Sequence, residues 1–215
     1  WHEGAANAPA ALEARLARLR ILHGAFTDAD DRALIRDDLR ARLPGLRKHA
    51  WWAVGMHDLA QWTQAESAPD AQVRARALGI ECRDAYPRSV GGDRCRHLVA
   101  AIEAPQIQLQ AMSHDAPGKA SIGLTYRNLD AAYFRAYRLD LVKTIESARD
   151  YNLFRNYRQL AEQIHGLTPV AEWTSALEPT TDYRSHEHFV TPPMAEPGYY
   201  VVVASARADF TQDDN

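Results

Sequence analysis

The chain has 215 residues, 46% apolar and 25% charged, with 25 Lys and Arg against 28 Asp and Glu for a net charge of -3. That length supports one large domain or two smaller ones with real cores, and the composition is that of an ordinary globular protein. No window is rich in Lys or Arg, which argues against an electrostatic nucleic-acid binder, and no run reaches the roughly 18 apolar residues that a membrane helix needs.

From Ala10 to about Glu103 the spacing predicts helices. Leu12, Leu16, Leu19 and Leu22 form the stripe of a first amphipathic helix, interleaved with Arg15, Arg18 and Arg20. Thr27 and Asp28 are expected to cap a second, carrying Leu34, Ile35, Leu39 and Leu43 and stopped at Pro44-Gly45. A third is expected from near Leu46, with Trp52, Leu59 and Trp62 on one side. A fourth starts at Pro69-Asp70 with Val73, Ala77 and Ile80 inward. Gly91-Gly92-Asp93 precedes a fifth, with Cys95, Leu98, Val99 and Ile102. Five short helices with brief turns suggest stacked hairpins of the tetratricopeptide-like kind, although the consensus residues of such repeats are absent.

After Pro105 the period changes from helical to alternating. Ile107, Leu109 and Ala111 alternate with glutamines; Ile122, Leu124 and Tyr126 alternate with Ser121, Gly123 and Thr125; and Tyr133, Ala136 and Tyr137 lie in a third extended run. Turns at Pro117-Gly118 and Asn128-Leu129-Asp130 predict an antiparallel meander. A helical insertion is expected over about 141–166, with Leu153, Tyr157, Leu160 and Ile164 at helical spacing and Gly166 as the stop. Strands resume around Val170-Trp173-Leu177, at His186-Val190 and at Tyr199-Ala204. The reading is therefore α+β: a helical-hairpin region, 1–104, then an antiparallel β-sandwich, 105–215, with a helical insertion.

Cys82 and Cys95 lie symmetrically about the Pro87 to Gly92 turn, where an antiparallel hairpin brings side chains together. They are either a disulfide or two apolar thiols buried in a helix interface. His186 and His188 share one face of a strand, as some metal sites require, but a third ligand is not evident, and a polar strand face explains them more simply. The His57-Asp58 and His114-Asp115 pairs lack a Gly-x-Ser-x-Gly elbow, and helix-surface and turn placement accounts for both. Trp52, Met56, Leu59 and Trp62 read as a core stripe rather than a ligand groove, with Trp51 directed elsewhere. Arg127, Arg135 and Arg138 read as a solvated sheet face or a surface for an acidic partner. In the insertion, Tyr151, Phe154 and Tyr157, set beside Arg149, Arg155 and Arg158, are expected to pack on the sandwich or to offer a contact surface. No catalytic residue, metal or cofactor is assigned.

A set of residues in the second half has a familiar order: Thr125-Tyr126-Arg127-Asn128-Leu129, Tyr133-Phe134-Arg135-Ala136-Tyr137-Arg138, Trp173, Asp182-Tyr183 with His186, Pro197-Gly198-Tyr199-Tyr200, and Ala204-Ser205 with Asp209-Phe210. This succession resembles a macroglobulin-like domain of the large bacterial alpha-2-macroglobulin-type proteins. Tyr86-Pro87-Arg88-Ser89 with Gly91 and Cys95 looks like the helical hairpin that precedes it. The resemblance covers about residues 80–215. It implies a sandwich of seven strands, six of which are legible, and a piece of a longer chain, in keeping with the start at Trp1 and the end at Thr211-Gln212-Asp213-Asp214-Asn215. It also implies an extracytoplasmic location, other domains of the same polypeptide as partners, and proteases as targets of the full-length protein. The thioester sequence Cys-x-Glu-Gln of some members is absent at both Cys82 and Cys95. The implied role is a non-catalytic structural segment of a protein that traps proteases or defends the cell envelope. The rivals are an adhesion or scaffolding module that binds a protein partner through its helices, and, last, a metal-dependent hydrolase using His186 and His188.

Overall fold

The structure, a computed structural model, describes residues 7–111, 121–148, 161 and 164–211. The chain divides into two compact units, Trp1–Ala104 and Pro105–Asn215. The period change read at Pro105 falls at that division. The architecture is α+β, helices first and then two small antiparallel sheets. Among the described residues no helix is long and apolar enough to cross a membrane.

Helix α1 spans Ala8–Ala25; the Asn7 side chain accepts the Ala10 N–H at its start, and Leu12, Leu16 and Leu19 are its buried stripe. Helix α2 spans Ala29–Arg42, with the Asp28 carboxylate accepting the N–H groups of Asp30 and Asp31. Pro44 does not simply stop the chain; a tight 3-10 turn, Leu43–Leu46, follows α2 directly. Helix α3 spans Trp52–Gln64 rather than beginning near Leu46. Arg47, Lys48 and Ala50 are exposed and have no apolar face to bury, so the chain runs through successive three-residue turns until Trp52 enters the core. Ten of the thirteen residues of α3 are buried, the pattern of a helix surrounded on all sides.

Helices α4, Ala71–Ala85, and α5, Val90–Glu103, complete the unit and pack on α3 and on each other. The expected inward face of α4 is wrong by part of a turn. Val73 and Ala77 are exposed and Ile80 only half-buried, whereas Ala71, Ala75, Gly79 and Cys82 face inward. Small side chains let the backbones approach closely: a Cβ at Gly79 would meet the Val99 side chain at 2.8 Å. Gly91 and Gly92 likewise lie inside the first turn of α5, not ahead of it. A Cβ at Gly91 would stand 2.3 Å from the backbone carbon of Ala53, so only glycine permits this seat against α3. One apolar cluster joins Leu12, Leu16, Leu39, Leu59, Cys82 and Cys95.

In the second unit, β1 (Gln106–Ala111), β2 (Ile122–Arg127) and β5 (His186–Val190) form one sheet in the order β1-β2-β5. Strands β4 (Ala171–Ala176), β3 (Ala131–Leu139) and β6 (Tyr199–Ser205) form another in the order β4-β3-β6. All pairings are antiparallel, with Leu109 opposite Leu124 in the first sheet and Phe134 opposite both Trp173 and Ala204 in the second. Burial alternates strictly along β2 and through most of β3, as expected of strands with one face in a core. Leu124, Tyr126 and Val190 from one sheet and Ala132 and Phe134 from the other belong to a single apolar cluster, and Phe134 stacks on Trp173 at 5.0 Å.

The meander expected for the first three strands is not what forms, because β2 and β3 lie in different sheets. The link, Asn128-Leu129-Asp130, has Asn128 at φ 55°, and that left-handed residue turns the chain from one layer to the other. Helix α6, Leu141–Ala148, opens the expected insertion and is capped by the Asp140 carboxylate, which accepts the Lys143 N–H. Pro117, Gly118, His114, Asp115 and the insertion residues Arg149, Tyr151, Leu153, Phe154, Arg155, Tyr157, Arg158 and Leu160 lie outside the described residues.

Candidate functional site

Cys82, near the end of α4, and Cys95, in α5, form a disulfide with Cα atoms 6.1 Å apart. Both residues are fully buried. The turn that brings them together is held by Ser89, whose hydroxyl donates to the Tyr86 carbonyl and accepts the Gly92 N–H. Tyr86 is anchored in turn by its hydroxyl, which donates to the Arg47 carbonyl at 2.6 Å.

On β5, His186 and His188 are half-buried on one face, as alternation predicts, but the structure gives them separate partners. His186 Nε2 lies 2.9 Å from Asp182 Oδ1, so this nitrogen carries the proton and donates to the carboxylate. Burial works to raise the Asp182 carboxyl, yet the His186 hydrogen bond and the Arg184 N–H outweigh it and hold the group below its ordinary value. His188 Nε2 lies 3.1 Å from Ser175 Oγ, which joins β5 to β4 of the other sheet. Among the described residues no three His, Cys, Asp or Glu side chains gather where a metal ion could be held.

Arg135 pairs with Glu172 at 3.3 Å and lies over the Phe210 ring at 4.1 Å. Arg138 pairs with Glu196 at 2.8 Å, and Arg127 is half-buried. Asp58 is not on a helix surface: it is buried and takes a hydrogen bond from Arg20 Nε at 2.8 Å, with His57 Nδ1 3.5 Å away. Trp52, Met56, Leu59 and Trp62 are core residues, and the Trp51 indole donates to Glu13 on α1 at 2.8 Å.

One concave feature of the first unit has no counterpart in the sequence patterns. A cleft of about 340 Å³ opens between the end of α1, the start of α2 and the end of α3, lined by His23, Arg32, Arg36, Trp62, Glu66 and Ser67 among others. His23 stacks face to face on Trp62, ring centres 4.5 Å apart. Arg36 pairs with Glu66 at 3.0 Å, and Arg74 holds the other Glu66 oxygen at 2.7 Å. Arg32 Nε donates to the Phe26 carbonyl at 2.8 Å, which fixes its guanidinium at the mouth of the cleft. Burial first, then the charges of Arg32 and Arg36, push the His23 pKa below its ordinary 6.5. The lining comes from three helices and from the turns that follow α1 and α3, so no local motif announces it. Only the indole of Trp62 belonged to a recognisable pattern, and that pattern was a core stripe.

No family model, curated protein or solved structure matches this chain.

Proposed function

We propose that the chain is a non-catalytic structural segment of a large extracytoplasmic bacterial protein of the alpha-2-macroglobulin kind, with its second unit a macroglobulin-like sandwich and the whole protein a protease trap or envelope defence. The reading rests on the resemblance, and one observation supports it: the residues that carry the resemblance are occupied in holding the second unit together. The Tyr126 hydroxyl donates to the Glu178 carbonyl, and the Asn128 N–H donates to Thr180 Oγ1 at 2.7 Å. Phe134 stacks on Trp173, Arg138 binds Glu196 and the Pro197 carbonyl, and Asp182 accepts from His186. Side chains so engaged position strands rather than attack a substrate. The buried disulfide fits an oxidising compartment, where such bonds persist.

The test uses the whole polypeptide that carries this chain, purified from its source and mixed with an endoprotease. Entrapment leaves the protease bound in a larger complex, still active on a small peptide ester but blocked on a protein substrate. A protease that elutes free and cleaves both substrates at its full rate overturns the proposal.

A further inference from the structure

We propose that the cleft between α1, α2 and α3 is a receptor for one carboxylate of a peptide, held by the guanidinium groups of Arg32 and Arg36 beside the His23–Trp62 stack. This goes beyond the structural role proposed above and does not depend on it.

Of the charged side chains that line the cleft, Arg32 and Arg36 are cations and Glu66 is an anion, and the surplus of positive charge suits a monoanion. Glu66 is shared by Arg36 and Arg74, and Arg74 also holds Asp70 at 3.0 Å. The Asp28 carboxylate at the start of α2 is engaged by two backbone N–H groups. Of the cations in this group, Arg32 has no carboxylate partner among the described residues; its one bond is to the Phe26 carbonyl, made through Nε. The terminal nitrogens of its fork are left for a ligand, and a planar fork suits a carboxylate. Neither ring nitrogen of His23 has a hydrogen-bond partner among the described residues, and the imidazole already feels the positive field of Arg32 and Arg36. A dianion such as phosphate would exceed the surplus positive charge of the lining, in which Glu66 offsets one of the two arginines. The volume, about 340 Å³, admits a group the size of one or two amino acids, and Ala29, Ala65 and Ala68 add apolar lining.

The experiment follows the Trp62 indole and His23 ring signals by NMR in the 215-residue chain. Four probes are titrated at constant ionic strength: a peptide with a free C-terminus and no acidic side chain, a doubly capped peptide with one Glu, a doubly capped neutral peptide, and inorganic phosphate. One of the carboxylate probes is expected to move both signals with a Kd on the order of 1 mM or tighter. Which of the two binds identifies the source as chain end or side chain. Arg32→Gln is expected to weaken that binding about tenfold, as loss of a charge-assisted pair does. If Arg32→Gln does not fold, Arg32→Lys, which keeps the charge and loses the fork, must weaken it about threefold. Silence of both carboxylate probes, equal binding of the neutral peptide or of phosphate, or unchanged affinity in the folded Arg32 variant overturns the proposal.

Discussion

The Tyr126 hydroxyl donates to the backbone carbonyl of Glu178 at 3.0 Å, a bond between residues 52 positions apart in the chain. Tyr126 is 3% exposed, so its ring is core while its oxygen reaches out to the segment that follows β4. That segment also supplies Thr180, whose hydroxyl accepts the Asn128 N–H just after β2. The corner between the two sheets is thus tied from outside by the chain that returns past it.

Tyr126→Phe keeps the ring and deletes only this bond. Because Glu178 is exposed, water replaces the lost donor, and the expected cost is about 1 kcal/mol. Chemical denaturation followed by a probe in the second unit measures it. No change would mean that the bond contributes nothing to the corner.

Two glycine substitutions make a contrast within the first unit. Gly91→Ala forces a methyl into the backbone of α3 and should cost at least about 1–3 kcal/mol, the range for overpacked cores. Gly24→Ala, in α1 with open space around it, should be neutral or stabilise by up to about 1 kcal/mol through helix propensity. Thermal unfolding of both variants checks the pair, and equal effects would refute the close seat of α5 on α3.

The Cys82–Cys95 bridge closes a loop of sequence separation 13. Loop-closure arithmetic gives about 3 kcal/mol for a loop of this size, so Cys82→Ala with Cys95→Ala should destabilise the first unit by about that amount. Peptide mapping without reductant should recover residues 82 and 95 in one linked fragment. Full alkylation of both thiols in the untreated protein would contradict the bridge.

The His23 prediction concerns acid. Its folded-state pKa lies below 6.5, so the unfolded chain binds the proton more readily. Stability of the first unit should therefore hold above pH 6.5 and decline as the pH falls from 6.5 towards the lowered value. His23→Gln should flatten that part of the profile, measured by urea midpoints across the range. Asp38 acts further down: burial raises its pKa, but the hydrogen bonds from Arg15 and Arg42 prevail and bring it below 3.8. Its contribution is present above pH 3.8 and is lost as the pH falls through the lowered value.

The strands and the change at Pro105 were legible because alternation records burial directly when one face of a strand is wet. The first helix was legible for the same reason, through Leu12, Leu16 and Leu19. Helix α4 was misread because burial there follows backbone proximity rather than side-chain apolarity: Ala71, Ala75 and Gly79 lie where helices crowd, and Val73 is turned outward. The sheet change at Asn128 was hidden because a left-handed asparagine serves a hairpin turn as readily as a change of layer. The cleft was hidden because His23, Arg32, Arg36 and Trp62 are ordinary on their own helices and become a group only when three helix ends converge.

The three-residue step through Asn128 has a mechanical consequence. Strands β2 and β3 are the middle members of their sheets, and they are also neighbours along the chain. The outer strands β1 and β6 stand at the two ends of the unit's strand sequence. Tension drawn along the polypeptide would therefore peel those outer strands first, and the stitched centre would be the last part to yield.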